Sequence, residues 1–335
     1  MSGIKAKKCQ RPPISTGKRF QVVCLDSDRV IVGSESELHE YKVSKDTWYA
    51  LCEHEIPVTD FALVVYRSQL LLVGGVITTV TPSKCQIVNV VSGAITTPPP
   101  SRTQEATCAI WHLDDKLGWV PVKSPLSPMP SCRSDAAAAA DGDLLVVASG
   151  PGIVETNGVD VFDGKIWQQT VYVDGPMYYH PNQYSYKKSR LDMTIHDGDL
   201  CLLSEYSHQG DSFRFFGSVS IQSLLGRTQR HPCWKEIQYP DGVVHVSNPC
   251  SYNGHFISVV PHIHESKRTL SVFVYSADSW TKEIGVYMPV AIASPYIVTL
   301  PMQELMVIVG GEVFVISVVG KHYNQISSHY NIYRM

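Results

Sequence analysis

The sequence offers one pair of residues with the chemistry of metal ligands, His262 and His264, followed directly by Glu265. Alternate residues of a β-strand lie on the same face, so two imidazoles at this spacing would converge. A zinc site needs a third and a fourth ligand, however, and the sequence identifies neither. The tract also follows an apolar strand. We therefore expect His262 and His264 to lie in a loop that contacts a partner, and we expect no metal.

Paired carboxylates are the second feature that suggests chemistry, because two neighbouring acids serve in acid–base catalysis and in Ca²⁺ binding. The pairs are Asp114 with Asp115 and Asp141 with Asp143. Both lie in turn sequences, where aspartate hydrogen-bonds local backbone groups. The sequence also lacks the GxSxG, HExxH and phosphate-binding-loop motifs. We expect no catalytic residues, no cofactor and no enzymatic activity.

Aromatic and basic residues indicate a different kind of function, which is recognition of a partner. Tyrosines and histidines crowd the stretch 172–186 and recur in 204–214, which is expected to be a loop. Exposed aromatic residues mark binding hot spots, although the same residues also pack between structural units. Arg133, Arg190 and Arg214 are candidates for one anion-contacting rim. The candidate partner-binding residues are Tyr206, His208, Arg214, His262, His264, Tyr178 and Tyr179.

Composition and charge argue against several other classes of partner. The formal net charge is -3 and the pI is near 6.5, so nothing favours nucleic acid or an acidic membrane surface. No uninterrupted apolar run reaches the roughly 18–20 residues of a membrane helix. Residues 1–8 lack the apolar stretch of a signal peptide, and the nine cysteines are scattered without a CxxC pair. We read the cysteines as free thiols and expect a cytoplasmic monomer.

The elements that must position these residues are short β-strands joined by tight turns. Asp-Gly or Asn-Gly turns recur between apolar runs, and Gly142, Gly198 and Gly254 are evenly spaced, 56 residues apart. Regular spacing of this size indicates a propeller or a solenoid. Each turn leads into a continuous apolar run, which is typical of a strand buried on both faces. The apolar runs are 30–32, 70–73, 144–147, 200–203, 256–260 and 305–309.

Helix is expected at only one place in the chain. The five alanines 136–140 favour a helix by propensity, but Asp141-Gly142 follows at once, so the repeat predicts a strand there. A short helix is plausible only at 220–225.

The residues that follow the apolar runs are specific enough to indicate a family. Two runs end in paired glycines, Gly74-Gly75 and Gly310-Gly311, and an aromatic residue precedes a tryptophan in three units. The chain thus resembles the kelch repeat over roughly residues 4–319, and it is similar to invertebrate kelch propellers without BTB or BACK domains. The resemblance implies an all-β propeller whose aromatic residues fill the wedges between blades. The aromatic pairs are Tyr41 with Trp48, Phe162 with Trp167, and Tyr275 with Trp280.

The paired glycines have a physical purpose in this resemblance, because they let the backbone leave the strand where a side chain would clash with the next blade. Only two units keep them. The corresponding positions in the other units are Gly33-Ser34, Ser149-Gly150, Ser204-Glu205 and Pro261-His262.

The repeat also predicts the domain organisation. The segment 101–130 is too short for a unit, so either one blade has lost its middle strands or 92–116 is an insertion within the second blade. We expect six blades, with seven, one of them truncated, as the alternative. The last unit lacks a fourth strand, and residues 4–9 are a candidate to close it; the alternative is a disordered basic tail. The predicted regions are an N-terminal segment, 1–18, the propeller, 19–319, and a C-terminal tail, 320–335.

Binding of a partner protein is the function that the resemblance implies. Kelch propellers generally present the loops of one face to a peptide or a domain, and many are substrate receptors of ubiquitin ligases. We therefore expect a protein-interaction scaffold, with a substrate-recognition adaptor as its more specific form. The alternative is a carbohydrate-binding propeller, or a propeller enzyme that resembles galactose oxidase or a sialidase, although neither the copper-ligand set nor the sialidase SxDxGxxW boxes can be identified.

Overall fold

The structure, a computed structural model, describes residues 4–10, 13, 20–34, 37–51, 56, 58–81, 87–88, 95–96, 101–114, 116–134, 136–149, 158–168, 171–172, 187–208, 211–226, 234–239, 247–252, 255–264, 267–276, 279–287, 296–300, 304–309 and 312–318. In several strands, including 187–190, 206–208, 211–214, 261–264 and 267–270, it describes the backbone alone. Within the described part of the chain, no helix is long and apolar enough to cross a bilayer.

The described residues form short strands almost throughout, with one helix of a single turn. The strands are β1 (Ile4–Cys9), β2 (Phe20–Cys24), β3 (Arg29–Ser34), β4 (Leu38–Lys42), β5 (Thr47–Ala50), β6 (Ala62–Tyr66), β7 (Gln69–Val73), β8 (Val76–Thr81), β9 (Ile87–Val88), β10 (Ile95–Thr96), β11 (Ser101–Ala106), β12 (Ile110–Asp114), β13 (Gly118–Pro121), β14 (Ala136–Asp141), β15 (Leu144–Ser149), β16 (Gly158–Phe162), β17 (Val171–Tyr172), β18 (Lys187–His196), β19 (Asp199–His208), β20 (Asp211–Ser220), β21 (Lys235–Glu236), β22 (Cys250–Tyr252), β23 (His255–His264), β24 (Lys267–Ser276), β25 (Ser279–Tyr287), β26 (Tyr296–Leu300), β27 (Glu304–Val309) and β28 (Glu312–Val318). The helix is α1 (Ile221–Leu225), which follows Ser220 as predicted.

Within the described residues, these strands assemble into six four-stranded antiparallel sheets, which matches the number of complete units predicted from the sequence. The sheets are sheet 1 (β2-β3-β4-β5), sheet 2 (β6-β7-β12-β13), sheet 3 (β14-β15-β16-β17), sheet 4 (β18-β19-β20-β21), sheet 5 (β22-β23-β24-β25) and sheet 6 (β26-β27-β28-β1).

The first strand of each sheet lies at the centre of the molecule. β2 contacts β6, β6 contacts β14, and the series continues through β18, β22 and β26 back to β2. This closed ring makes the fold a β-propeller, as predicted. The apolar runs are the second strand of each sheet, and the ring itself is formed by the strands that precede them.

The apolar runs supply the core because successive side chains point to opposite faces of a sheet. In β7, Leu70 and Leu72 pack against sheet 1, whereas Leu71 and Val73 pack against sheet 3. β19 behaves in the same way: Leu200 and Leu202 join the cluster with sheet 3, and Cys201 and Leu203 join the cluster with sheet 5. One continuous apolar strand therefore serves two interfaces, which explains why the sequence shows no alternation there.

Aromatic pairs fill the outer part of the same interfaces. The ring centroids of Tyr41 and Trp48 are 4.9 Å apart, those of Phe162 and Trp167 are 5.3 Å apart, and those of Tyr275 and Trp280 are 5.2 Å apart. The three predicted pairs are thus confirmed. Phe216 and Phe256 also stack, at 5.2 Å, across the junction of sheets 4 and 5.

Tight turns join the first and second strands. Asp197 and Gly198 both have positive φ, 49° and 80°, as a type I′ turn requires. At the corresponding turn of sheet 3, Asp141 pairs with Leu144, so Gly142 (φ 56°) and Asp143 are the central residues and only the glycine has positive φ. The alanine run 136–140 lies in β14, which confirms a strand there.

The N-terminal strand closes the ring. β1 pairs with β28 in an antiparallel register that runs from Ile4 opposite Val318 to Cys9 opposite Val313. The next residue, Gln10, is held by sheet 1: its N–H donates to Asp46 Oδ1 at 3.0 Å, and its carbonyl accepts from Trp48 Nε1 at 3.1 Å. Sheet 6 is therefore completed by a strand from the opposite end of the chain, as predicted.

The structure of the short unit, 101–130, differs from both predicted alternatives, a truncated blade and an insertion at 92–116. β12 pairs with β7, and β13 with its Trp119 pairs with β12, so these are the third and fourth strands of sheet 2. The insertion lies between β7 and β12 and contains the hairpin β8–β11, in which Val76 is opposite Ala106. The alternative of an insertion within the second blade is therefore correct in kind, but 92–116 places it too late, because the insertion begins directly after β7 and ends before β12.

Candidate functional site

The antiparallel order of the strands gives the propeller two unlike faces. On one face, the second strand of each sheet joins the third and the chain passes to the next sheet; we call it the hairpin face. On the other, the first strand turns into the second and the third into the fourth; we call it the turn face. The described hairpin face includes segments of 34–38, 74–109, 122–134, 205–214 and 261–270, and the turn face includes 25–28, 43–46, 67–68, 116–117, 142–143, 163–166 and 197–198.

Two hairpins dominate the hairpin face. β19 and β20 are each 10 residues long and pair from Asp199–Ser220 to His208–Asp211. β23 and β24, also 10 residues each, pair as far as His264–Lys267. The second strands of sheets 1 to 3 have only 5 or 6 residues. Sheets 4 and 5 therefore extend about four residues further, or about 13 Å at the rise of a strand.

The residues at the end of each second strand explain this difference. In sheet 2, Gly74 and Gly75 have positive φ, 66° and 101°. A Cβ on Gly75 would lie 2.5 Å from the carbonyl oxygen of Thr59, and one on Gly74 would lie 2.7 Å from that of Arg133. The chain can leave the strand here only as glycine. At the same place, Ser204-Glu205 and Pro261 continue the ladder opposite Phe215, Arg214 and Leu270.

The candidate residues of both hairpins lie in strands and not in loops. Tyr206 and His208 are in β19, Arg214 is in β20, and His262 and His264 are in β23. The expectation of a loop was wrong because it assumed that the strand ends where other units have paired glycines. Tyr178 and Tyr179 lie outside the described residues.

The register places three charged residues of sheet 4, Arg190, Glu205 and Arg214, in one cross-strand row. Cys201 and Leu203, which lie in the same strand as Glu205, pack toward sheet 5. In sheet 5, Phe256 and Val260 pack toward sheet 4, and 262 and 264 are alternate positions further along the same strand, β23.

Arg133 does not contribute to a rim. Its side chain is 0% exposed, and so is that of Asp160, to which its Nε donates at 2.7 Å. Its Nη1 donates to the carbonyl of Gly158 at 2.6 Å. Nη2 has no hydrogen-bond partner among the described residues. Arg133 is thus a structural residue below the hairpin face, and the anion-contacting rim predicted for it is wrong.

The base of the inserted hairpin is a feature that the sequence did not indicate. Thr107 N–H donates to the Gly75 carbonyl at 2.9 Å, and Gly75 N–H donates to the Arg133 carbonyl at 2.6 Å. Arg133 N–H in turn donates to the Thr107 carbonyl at 3.1 Å. This closed set of bonds joins the end of β7, the end of the insertion and the entry to sheet 3. The only sequence signal for it is Gly74-Gly75.

The turn face carries an exposed ion pair and short hydrogen bonds within its turns. Arg67 Nη2 lies 2.6 Å from Asp143 Oδ1, with 50% and 73% of the two side chains exposed. Asp114 accepts from the N–H groups of Lys116 and Leu117, and Asp163 accepts from those of Lys165 and Ile166. These hydrogen bonds to the carboxylates lower the pKa of both aspartates. Of the paired aspartates, Asp114 therefore stabilises its turn, as predicted, whereas Asp143 accepts from Arg67 of the neighbouring sheet and Asp115 lies outside the described residues.

Comparison with solved structures gives a match to the whole architecture. The structure of YjhT superimposes with a TM-score of 0.50 and 13% sequence identity, covering 91% of this chain and 95% of the YjhT chain. At this identity the likeness extends to the fold alone. No protein-family model matches the sequence, and no curated protein matches it.

Proposed function

We propose that this chain is a kelch-type propeller that binds a partner protein through its hairpin face and is not an enzyme. The observation that carries the proposal is the extension of β19–β20 and β23–β24 beyond the other second and third strands. Paired hairpins that extend from a rigid ring supply backbone edges and side chains for recognition without a large ordering cost on binding. The kelch assignment rests on Gly74-Gly75 and on the three aromatic pairs.

The residue types in the two extensions support a protein partner. Each contains histidine, and the first adds Tyr206 opposite Phe213. Aromatic residues are enriched in the centres of protein interfaces, where they bury a large area with few rotatable bonds. The candidate residues Tyr206, His208, Arg214, His262 and His264 all lie in these extensions.

The charge of the extensions indicates which surface the partner presents. The whole chain has a net charge of -3, yet the extensions, counted together with residues 187–190 of β18 that pair with β19, contain six basic and three acidic residues. A basic patch on an acidic protein attracts an acidic partner surface and speeds its association at low salt. The basic residues are Lys187, Lys188, Arg190, Arg214, Lys267 and Arg268, and the acidic residues are Glu205, Asp211 and Glu265.

We place the protein in the cytoplasm as a monomer. Cys24, Cys108, Cys132, Cys201 and Cys250 are free thiols, which supports a reducing compartment. A substrate-recognition adaptor is the more specific form of the proposal.

Affinity capture from the source cells followed by mass spectrometry tests the proposal. The bait is compared with a hairpin variant, Y206S/R214E, and with a turn-face control, L117S/I166S, whose parent side chains are 72% and 56% exposed. We expect a partner that is retained by the control and lost by the hairpin variant, with circular dichroism showing that both variants are folded. A partner list unchanged in the hairpin variant, or selective binding of the wild type on a glycan array, contradicts the proposal.

A further inference from the structure

The base of the inserted hairpin brings two cysteines together. The antiparallel hydrogen bond from Arg133 N–H to the Thr107 carbonyl is 3.1 Å long. Cys108 follows Thr107 and Cys132 precedes Arg133, so this bond brings positions 108 and 132 close together. A second bond joins the same two segments, because Met129 N–H donates to the Cys108 carbonyl at 2.8 Å.

The side chains follow the backbone. The Cys132 thiol lies near the thiol and the backbone of Cys108, with which it interacts electrostatically. Both cysteines are free, and both are partly exposed to solvent. Two neighbouring thiols within reach of a small oxidant have the arrangement that disulfide formation needs.

We propose that Cys108 and Cys132 form a reversible disulfide, with glutathione disulfide as the oxidant. One cysteine thiolate attacks glutathione disulfide, forms a mixed disulfide and releases one glutathione thiolate. The second cysteine thiolate then attacks the protein sulfur of the mixed disulfide and releases the second glutathione. Two electrons pass from the cysteines to glutathione disulfide, and the two thiol protons end on the two glutathione molecules.

The consequence of the bond follows from its position on the hairpin face. Cys108 lies between the inserted hairpin β8–β11 and β12, whereas Cys132 lies in the connection from sheet 2 to sheet 3. A disulfide fixes the base of the insertion to the entry of the next sheet. Because the bond closes the loop 108–132 in the unfolded chain, we expect the oxidised protein to melt about 5 °C higher than the reduced protein.

Three other cysteines whose side chains the structure describes serve as internal controls. Cys201 and Cys250 are buried, and burial raises the pKa of Cys201 to about 12 and that of Cys250 to about 11. The Cys24 thiol donates to the Asp26 carbonyl at 3.1 Å. Burial also raises the pKa of Cys132 to about 11. Attack by the Cys132 thiolate is therefore expected to speed up about tenfold for each pH unit between 7 and 9.

Differential alkylation of the full chain tests the pair. The protein is equilibrated in buffers of rising ratio of oxidised to reduced glutathione, alkylated, and digested with trypsin under non-reducing conditions at neutral pH. Cys108 and Cys132 fall in separate tryptic peptides with one cysteine each, 103–116 and 124–133. We expect these two peptides to appear linked, and to separate after reduction, while Cys24, Cys201 and Cys250 stay alkylated.

The variants C108S and C132S are the controls for this test. Each is expected to abolish the linked peptide and the rise in melting temperature, and to leave the remaining cysteine of the pair free or joined to glutathione. Full alkylation of both cysteines in the wild type at the highest ratio that keeps the native circular dichroism spectrum overturns the proposal. So does a bond from either residue to a different cysteine.

Discussion

The two faces of this propeller are built from the same sheets but differ in how their strands end. On the turn face, two-residue turns such as Arg67-Ser68 and Asp197-Gly198 end each hairpin at once. On the hairpin face, the second strand of sheet 2 stops at Gly74-Gly75, whereas those of sheets 4 and 5 continue to His208 and His264. The ring is therefore set by apolar strands, whereas the reach of the hairpin face depends in sheets 2, 4 and 5 on the residues that end or continue the second strand.

The largest expected effect comes from two Arg–Asp pairs, one below the hairpin face and one on the turn face. Arg133 and Asp160 are fully buried, whereas Arg67 and Asp143 are largely exposed. Removal of one partner from a buried pair leaves an uncompensated charge, so R133M should lower the free energy of unfolding by about 3–5 kcal/mol. R67M should cost less than about 1 kcal/mol, because water screens an exposed pair. Urea denaturation measures both.

Equal losses in these two variants contradict the burial of Arg133. The double variant R133M/D160N sharpens the result, since removing both charges should recover part of the stability lost in R133M.

The second effect concerns glycines with positive φ on opposite faces. G75A should cost about 2–4 kcal/mol, because the new Cβ meets the Thr59 carbonyl at 2.5 Å in addition to the backbone strain at φ 101°. G142A, at φ 56° with no atom within 4 Å of the added Cβ, bears only the strain and should cost about 1 kcal/mol. Guanidinium denaturation of the two variants separates steric from conformational cost. If G75A proves no less stable than G142A, the close packing described at the end of β7 is incorrect.

The third effect comes from giving β19 of sheet 4 the paired glycines that end β7 in sheet 2. Replacement of Ser204-Glu205 by Gly-Gly should weaken β19–β20 by about 1–2 kcal/mol, since glycine inside a strand costs about 0.5–1 kcal/mol. Hydrogen exchange of 206–213 should speed up, while that of the buried residues 200–203 stays slow. The control is S204A/E205A, which removes the same side chains but keeps the backbone restrained. Exchange that is identical in the two variants means that the dipeptide does not determine where the hairpin ends.

The smallest effect is a pH dependence on the turn face. Hydrogen bonds from backbone N–H groups lower the pKa of Asp114 and Asp163. A carboxyl group whose pKa is lower in the folded state stabilises the protein above its ordinary pKa near 4, and that stability is lost as the pH falls through the lowered value. Melting curves of the wild type and of D114N/D163N should therefore differ slightly at pH 6, and the difference should shrink as the pH falls below about 4. A difference that widens on acidification contradicts the assignment.

The sequence predicted the strands of the propeller ring better than it predicted the structure of the hairpin face. Continuous apolar runs, Asp-Gly turns and Tyr–Trp pairs are local signals, and each corresponds to a buried strand, a two-residue turn or an aromatic contact. The order of strands in sheet 2 could not be predicted from local signals, because β7 pairs with β12, which follows the whole insertion in the chain. The lengths of β19 and β23 were also missed, since polar residues in a paired strand have the same composition as a loop. Burial of Arg133 depends on Asp160, which the sequence alone does not bring near it.

The most direct test of the account is hydrogen–deuterium exchange of the protein with and without its captured partner. Because the extended hairpins should contact that partner, exchange in 205–214 and 261–270 should slow on binding. Exchange in the turn-face segments 116–117 and 163–166 should not change. Protection confined to the turn face, with the two hairpins unaffected, would contradict the central claim that the hairpin face is where this propeller binds.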